Sequence, residues 1–243
     1  MKFSILTLFP EMFEPIKQSI IGRAIDNNLL DIEVTNIRDF STDKHLKVDD
    51  TPYGGGAGML MKPDVVYDTY NHVLQKTSGN IKSIYLTPQG KKLNQSMVKE
   101  YAGYDNIIIL CGHYEGIDQR VIDIINPEEV SIGDYVLTGG EIPAMVLIDA
   151  VSRYIPGVIN GESVEEESFS NDLLEYPQYT RPEVFMNRKV PEVLISGHHK
   201  NINKWRREQS LLNTFNKRPD LLKEANLTED DKKFIEELIK PKK

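Results

Sequence analysis

Three short glycine-bearing turns carry the first chemical signal in this sequence. They are Thr87-Pro88-Gln89-Gly90, Cys111-Gly112-His113-Tyr114-Glu115-Gly116 and Ile132-Gly133-Asp134-Tyr135-Val136-Leu137-Thr138-Gly139-Gly140. Each follows an apolar run, and at the carboxyl ends of strands in a parallel sheet glycine lets the backbone approach a ligand closely. Taken singly, each turn is accounted for by chain reversal alone; together they can form one pocket. The run Asp49 to Met59, with glycines at 54, 55, 56 and 58, reads either as amides that wrap a phosphate or as a lid or surface loop, and its acidic flank repels anions. Farther on, Ser196, Gly197, His199, Lys200, Trp205, Arg206 and Arg207 interleave cations with an aromatic ring, a combination suited to phosphate contact and base stacking. Cys111 ends the apolar run Ile107 to Leu110 and reads as a small buried hydrophobe rather than a nucleophile.

The elements that must position these turns follow from apolar periodicity. Strands are expected at Phe3 to Phe9, Ile32 to Ile37, Ile81 to Leu86 and Ile107 to Leu110. Helices are expected through Ile16 to Ile25, from about Asp64, and over Gln95 to Tyr101 and Ile117 to Ile125. Thr138 to Glu141 has the form of a capping box, with Pro143 in a first turn, so a further helix is expected from Glu141 to Tyr154 with Ala144, Ile148, Val151 and Ile155 on one face. Continuous apolar strands alternating with helices predict an α/β protein with a mainly parallel sheet covered on both faces. Residues 160–175 lose that periodicity and carry Glu165, Glu166 and Glu167, as an interdomain linker would, and the chain from 176 to 243 reads as a small helical domain.

The totals exclude several classes. A chain of 243 residues with 40% hydrophobic and 27% charged residues suits a globular protein, and no run approaches transmembrane length. Pro10 and Glu11 interrupt the apolar start too early for a signal peptide, so a cytoplasmic protein is expected. One cysteine cannot close an internal disulfide, no Cys/His cluster has zinc spacing, and no structural metal is expected. The net charge of −8 hides an asymmetry: residues 1–196 hold 17 basic and 29 acidic side chains, residues 197–243 hold 12 and 8. Any nucleic-acid footprint is therefore local. Neither a dinucleotide fingerprint nor a P-loop occurs, so the pocket is of another type.

CGHYEG, SIGDYVLTGGE, DDTPYGGGAGM, LLEYPQYTRP and SGHHKNINKWR together resemble the TrmD family of tRNA (guanine-N1) methyltransferases, from LTLFPEMF near the start to NKRPDL near the end. The resemblance implies a SPOUT-type fold whose S-adenosylmethionine pocket, in the first 159 residues, is a trefoil knot, and a homodimer with active sites at the subunit interface. It implies methylation of N1 of the guanosine immediately 3′ of the anticodon in tRNA. Carried over by position, it places S-adenosylmethionine against Tyr85, Leu86, Thr87, Pro88, Gly112, Glu115, Ile132, Gly133, Asp134, Tyr135, Val136, Leu137 and Gly140. Arg153 matches the family's active-site arginine, although Asp149 four residues earlier equally suits a helix ion pair. The family's base is an aspartate just before the Ser-Phe of its linker; here Ser168-Phe169 is preceded by Glu167, one methylene longer, and the stretch from Arg153 is one residue shorter. His45 and Asp49 match positions near the Gly-rich loop, where they contact substrate or order the site; Arg181 belongs with the linker and is expected to touch RNA beside the set of the C-terminal domain, Ser196, His199, Lys200, Trp205, Arg206 and Arg207.

Overall fold

Apolar strands separated by amphipathic helices bury both faces of a sheet, and the computed structural model, which describes residues 1–159, 168–169 and 172–240, has this form. Among the described residues five strands make the central sheet: β1 (Lys2–Thr7), β2 (Asp31–Asn36), β5 (Ile81–Lys92), β6 (Asn106–Cys111) and β7 (Glu128–Ser131). They run parallel in the order β2-β1-β6-β5-β7. Two-residue strands β3 (Asp49–Asp50) and β4 (Leu60–Met61) pair antiparallel at the ends of the Gly-rich loop. Every residue of the central strand β6 is buried, and its side chains alternate between two cores. Ile107, Ile109 and Cys111 join Phe3, Ile5 and Ile84 on one face; Ile108 and Leu110 join Leu6 and Met61 on the other.

Helices α1 (Ser19–Asp26), α3 (Gln95–Tyr101) and α5 (Glu141–Ser152) contribute buried residues to the first core, and α2 (Pro63–Gln75) and α4 (Gln119–Ile125) to the second. Ala144, Ile148 and Val151 of the expected face of α5 are fully buried and Leu147 joins them, whereas Ile155, also expected there, lies beyond the helix end at Ser152 and is half-buried. Two local expectations are corrected. The helix expected through Ile16 to Ile25 is broken: a 3₁₀ segment Pro10–Lys17 contains Pro15, the chain turns at Gln18, and Ser19 takes φ 58° before α1 proceeds. The capping box at the start of α5 does not form, because Gly140 is the N-cap, no side chain caps it, and the Glu141 carboxylate turns inward.

The chain folds as two compact units, Met1–Gly161 and Glu162–Lys243. In the second, a hairpin of β8 (Val184–Phe185) and β9 (Arg188–Lys189) leads through α6 (Glu192–Ile195) to α7 (His199–Lys217) and α8 (Glu229–Ile239). Leu173 and Leu211 are buried, Leu174 N–H donates to Thr214 Oγ1 at 2.8 Å, and Asn213 Nδ2 donates to Glu175 O at 2.9 Å, so residues 173–175 are fastened to α7. Thr228 and Asp231 form a capping box at the start of α8. Among the described residues no helix is long and apolar enough to cross a membrane.

Candidate active site

The three glycine-bearing turns converge at the carboxyl ends of β5, β6 and β7 around a cavity of about 230 Å³. Residues 87–90 protrude because the register of β5 on β7 shifts between Leu86 and Lys91. A methyl group on Gly90 would collide with the backbone of Glu129 and Val130, so only glycine allows this close approach to β7. The turn after β6 is tied to β4, with Glu115 N–H donating to Met59 O at 3.0 Å and Met61 N–H to Gly116 O at 2.9 Å. The turn after β7 is stitched to the one after β6: Gly140 N–H donates to Gly112 O at 2.9 Å, and His113 pairs with Gly139. The ring of Tyr85 walls the cavity beneath Gly112, and burial, followed by the nearby Glu129 carboxylate, pushes its phenol above the usual range.

Of the thirteen residues expected against S-adenosylmethionine, twelve line this cavity. Asp134 does not: its side chain is 84% exposed and paired with Lys92 Nζ at 2.6 Å, a surface contact that contributes about 0–1 kcal/mol. Gln89, His113, Tyr114, Ser131, Thr138, Gly139 and Pro143 also line it and fall outside the expected set, although all but Ser131 and Pro143 sit inside turns that the glycines mark. The His113 ring lies 4.9 Å from Phe9 and 5.0 Å from Tyr114. Gly58 of the Gly-rich loop is pressed onto Glu115, where a methyl group would collide with the carboxylate side chain, while Tyr53 at the other end is 98% exposed. Asp49 pairs with Met61 in β3, and His45 is exposed, its N–H held by Asp43 at 2.7 Å. Cys111 is fully buried; desolvation and then the Glu141 carboxylate raise its thiol well above the usual range, which leaves it inert as a nucleophile.

In the second unit, Ser196, Gly197, His199 and Lys200 are exposed around the start of α7, and Arg181 is exposed ahead of β8. Trp205 stacks near Tyr179 with ring centres 6.3 Å apart, and the Arg206 guanidinium lies 4.8 Å from the Tyr176 ring. Arg207 is engaged within the unit: Nε and Nη2 donate to the two oxygens of Asp231 at 3.2 and 2.8 Å, pinning α7 to α8. Burial of Asp231 raises its proton affinity, but Arg207 and Thr228 outweigh that and hold the carboxyl below its ordinary value. The folded form thus binds its proton less readily than the unfolded chain, so the pair's stabilisation is complete above about pH 4 and fades as pH falls through the lower folded pKa. Asp231→Ala is expected to cost about 2 kcal/mol by leaving Arg207 half-buried and unpaired, and to flatten the acid limb of thermal stability below about pH 4 relative to the parent, read by calorimetry. An unchanged limb would remove the pair from the stability of this unit.

Residues 1–224 match the family described as tRNA (Guanine-1)-methyltransferase TrmD. The chain belongs to the TrmD family. A protein of Clostridioides difficile named tRNA (guanine-N(1)-)-methyltransferase is 57% identical over 231 residues, covering 93% of this chain and 99% of its own. Proteins of the same name from Caldanaerobacter subterraneus and Lachnoclostridium phytofermentans are 57% and 52% identical, each covering 98% of this chain, and 98% and 97% of their own. In this TrmD chain Arg153 is the C-cap of α5, half-buried, its N–H donating to Asp149 O at 3.4 Å. Glu167, expected as the base, lies outside the described residues.

Proposed function

We propose that this chain transfers the methyl group of S-adenosylmethionine to N1 of the guanosine immediately 3′ of the anticodon in tRNA. The observation that carries the reading is the convergence of three backbone-walled turns on one cavity in a TrmD-family chain. The lining fits an adenosyl ligand: Gly112, Gly133 and Gly140 put backbone without side chains into the wall, against which a flat ring can lie, while Leu86, Ile132 and Leu137 supply apolar walls. Gly140 cannot carry a side chain without meeting Cys111, so the turn after β7 packs directly on the turn after β6 and closes the wall between them. The donor supplies an electrophilic methyl on a sulfonium.

The remaining work falls to the protein. N1 of guanine carries a proton at neutral pH, so it needs a base, and charge builds on O6 as the proton leaves. Glu167 takes that proton and Arg153 stabilises O6. His45, Asp49, Arg181, Ser196, His199, Lys200, Trp205, Arg206 and Arg207 hold the tRNA; the exposure of His45, Arg181, His199 and Lys200 supports phosphate contact. A homodimer is supported by an apolar strip beside the pocket, where Val136 is 82% exposed and Leu137, Ile142 and Val146 are also exposed. The reaction belongs in the cytoplasm with its tRNA.

The test is transfer of labelled methyl from S-adenosylmethionine to a tRNA transcript with guanosine 3′ of the anticodon, beside one with adenosine there. Label confined to the first, with reverse transcription stopping at that base, is the expected result. Donor binding without transfer would leave a silent RNA-binding protein instead.

A further inference from the structure

Beneath the pocket lies a charge that the proposed reaction does not use. Glu141, in the first turn of α5, is 1% exposed. Its Oε1 accepts from Thr7 Oγ1 at 2.7 Å, and Thr7 Oγ1 in turn accepts from Phe9 N–H at 2.9 Å, so the carboxylate is anchored to the end of β1. The other oxygen, Oε2, faces the pocket wall: a methyl group on Gly139 would collide with it, and Gly139 and Gly140 both line the cavity. Among the described residues no cation lies within ion-pair distance of Glu141. The other carboxylates nearby differ in kind, since Glu115 is exposed to water on the rim and Asp134 is paired with Lys92 outside the lining.

Desolvating an unpaired carboxylate is costly, and the cost is offset when a cation arrives opposite it. S-adenosylmethionine is such a ligand, with a sulfonium cation at its centre, whereas the product left after transfer, S-adenosylhomocysteine, is a neutral thioether of almost the same shape. Hydrogen bonds to adenine and apolar contacts cannot tell the two apart; a buried charge can, because its field is little screened there. We propose that Glu141 is a specificity residue that favours the charged methyl donor over the spent, neutral product. The inference rests on the assignment of this cavity to the methyl donor.

The experiment is calorimetric titration of the full-length chain with S-adenosylmethionine and, separately, S-adenosylhomocysteine. Glu141→Gln, which keeps the shape and removes the charge, is expected to weaken donor binding about tenfold while leaving product affinity close to that of the parent. Thr7→Val, which keeps the charge, should leave the donor-to-product ratio unchanged. If Glu141→Gln does not fold, the double variant Thr7→Val/Glu141→Leu replaces the buried pair by apolar groups of similar shape, a change that folds tolerate, and should lower the ratio in the same way. Equal weakening of both ligands, or a ratio that stays constant when the charge is removed, would overturn the proposal and leave Glu141 a purely structural anchor. Failure of the parent chain to bind either ligand would overturn the donor assignment itself.

Discussion

Gly140→Ala is expected to reduce S-adenosylmethionine affinity by about 100-fold or more while leaving the parallel sheet folded. Gly140 has φ −82°, a conformation alanine accepts, so the effect does not come from backbone strain. It comes from contact: the new methyl group would sit 2.8 Å from Cys111 Cα and 3.1 Å from Gly112 N, both backbone atoms at the end of the fully buried strand β6. A packed strand does not yield, so the turn after β7 must retreat and the bond from Gly140 N–H to Gly112 O must lengthen. That bond joins two of the three walls, and displacement of about 1 Å in a site of this kind costs about two orders of magnitude. Gly55→Ala is the contrasting variant, because its φ of 78° strains the loop but nothing lies within 4 Å of the added methyl. Titration calorimetry and thermal unfolding on both variants separate the outcomes: near-parental donor affinity in Gly140→Ala would mean that the turns part freely or that the donor binds elsewhere.

Legibility divides along the range of the interactions. Strands and helices of the first unit are legible because burial on both faces makes β6 a continuous apolar run and burial of one face imposes a period of 3.6 on α5, and each pattern is printed in adjacent residues. The turns are legible for the same reason, since close approach to backbone at Gly90 and Gly140 permits one residue type. Glu141 reads as half of a capping box because its partner, Thr7, lies 134 residues away and no local pattern announces it. Arg207 looks like its neighbour Arg206 in sequence; only the packing of α8, with Asp231 turned inward by its own cap, decides that it forms an ion pair. The break at Gln18 does have a local signal in Pro15, which the apolar spacing of Ile16, Ile20 and Ile21 masks. Asp134 lies outside the cavity and pairs at the surface with Lys92, a partner 42 residues away that no local pattern announces. Threading of a chain through a loop leaves no periodic trace at all, so a knot enters only through family resemblance.

Glu167→Gln and Arg153→Ala are each expected to lower kcat for tRNA methylation by between about 10² and 10⁴-fold, with S-adenosylmethionine affinity near that of the parent. In the proposed mechanism both residues act on one event, loss of the N1 proton with charge moving to O6, so their effects are not independent. Without the carboxylate the proton has no acceptor and little charge reaches O6 for the guanidinium to stabilise. Without the guanidinium the carboxylate must draw the proton from a guanine whose anion is poorly supported. The double variant is therefore expected to lie within about tenfold of the slower single variant rather than at the product of the two losses. The pH dependence separates the roles further. Arg153→Ala retains a base and its rate should rise with pH as bulk hydroxide assists ionisation of N1, whereas Glu167→Gln should show a steeper rise from a lower floor because solution base is then the sole acceptor. Single-turnover rates with saturating donor and tRNA isolate this step from product release. Strictly multiplicative losses would assign the two residues to separate steps, and full turnover in Glu167→Gln would move the base to Glu165 or Glu166, the neighbouring carboxylates of the same stretch.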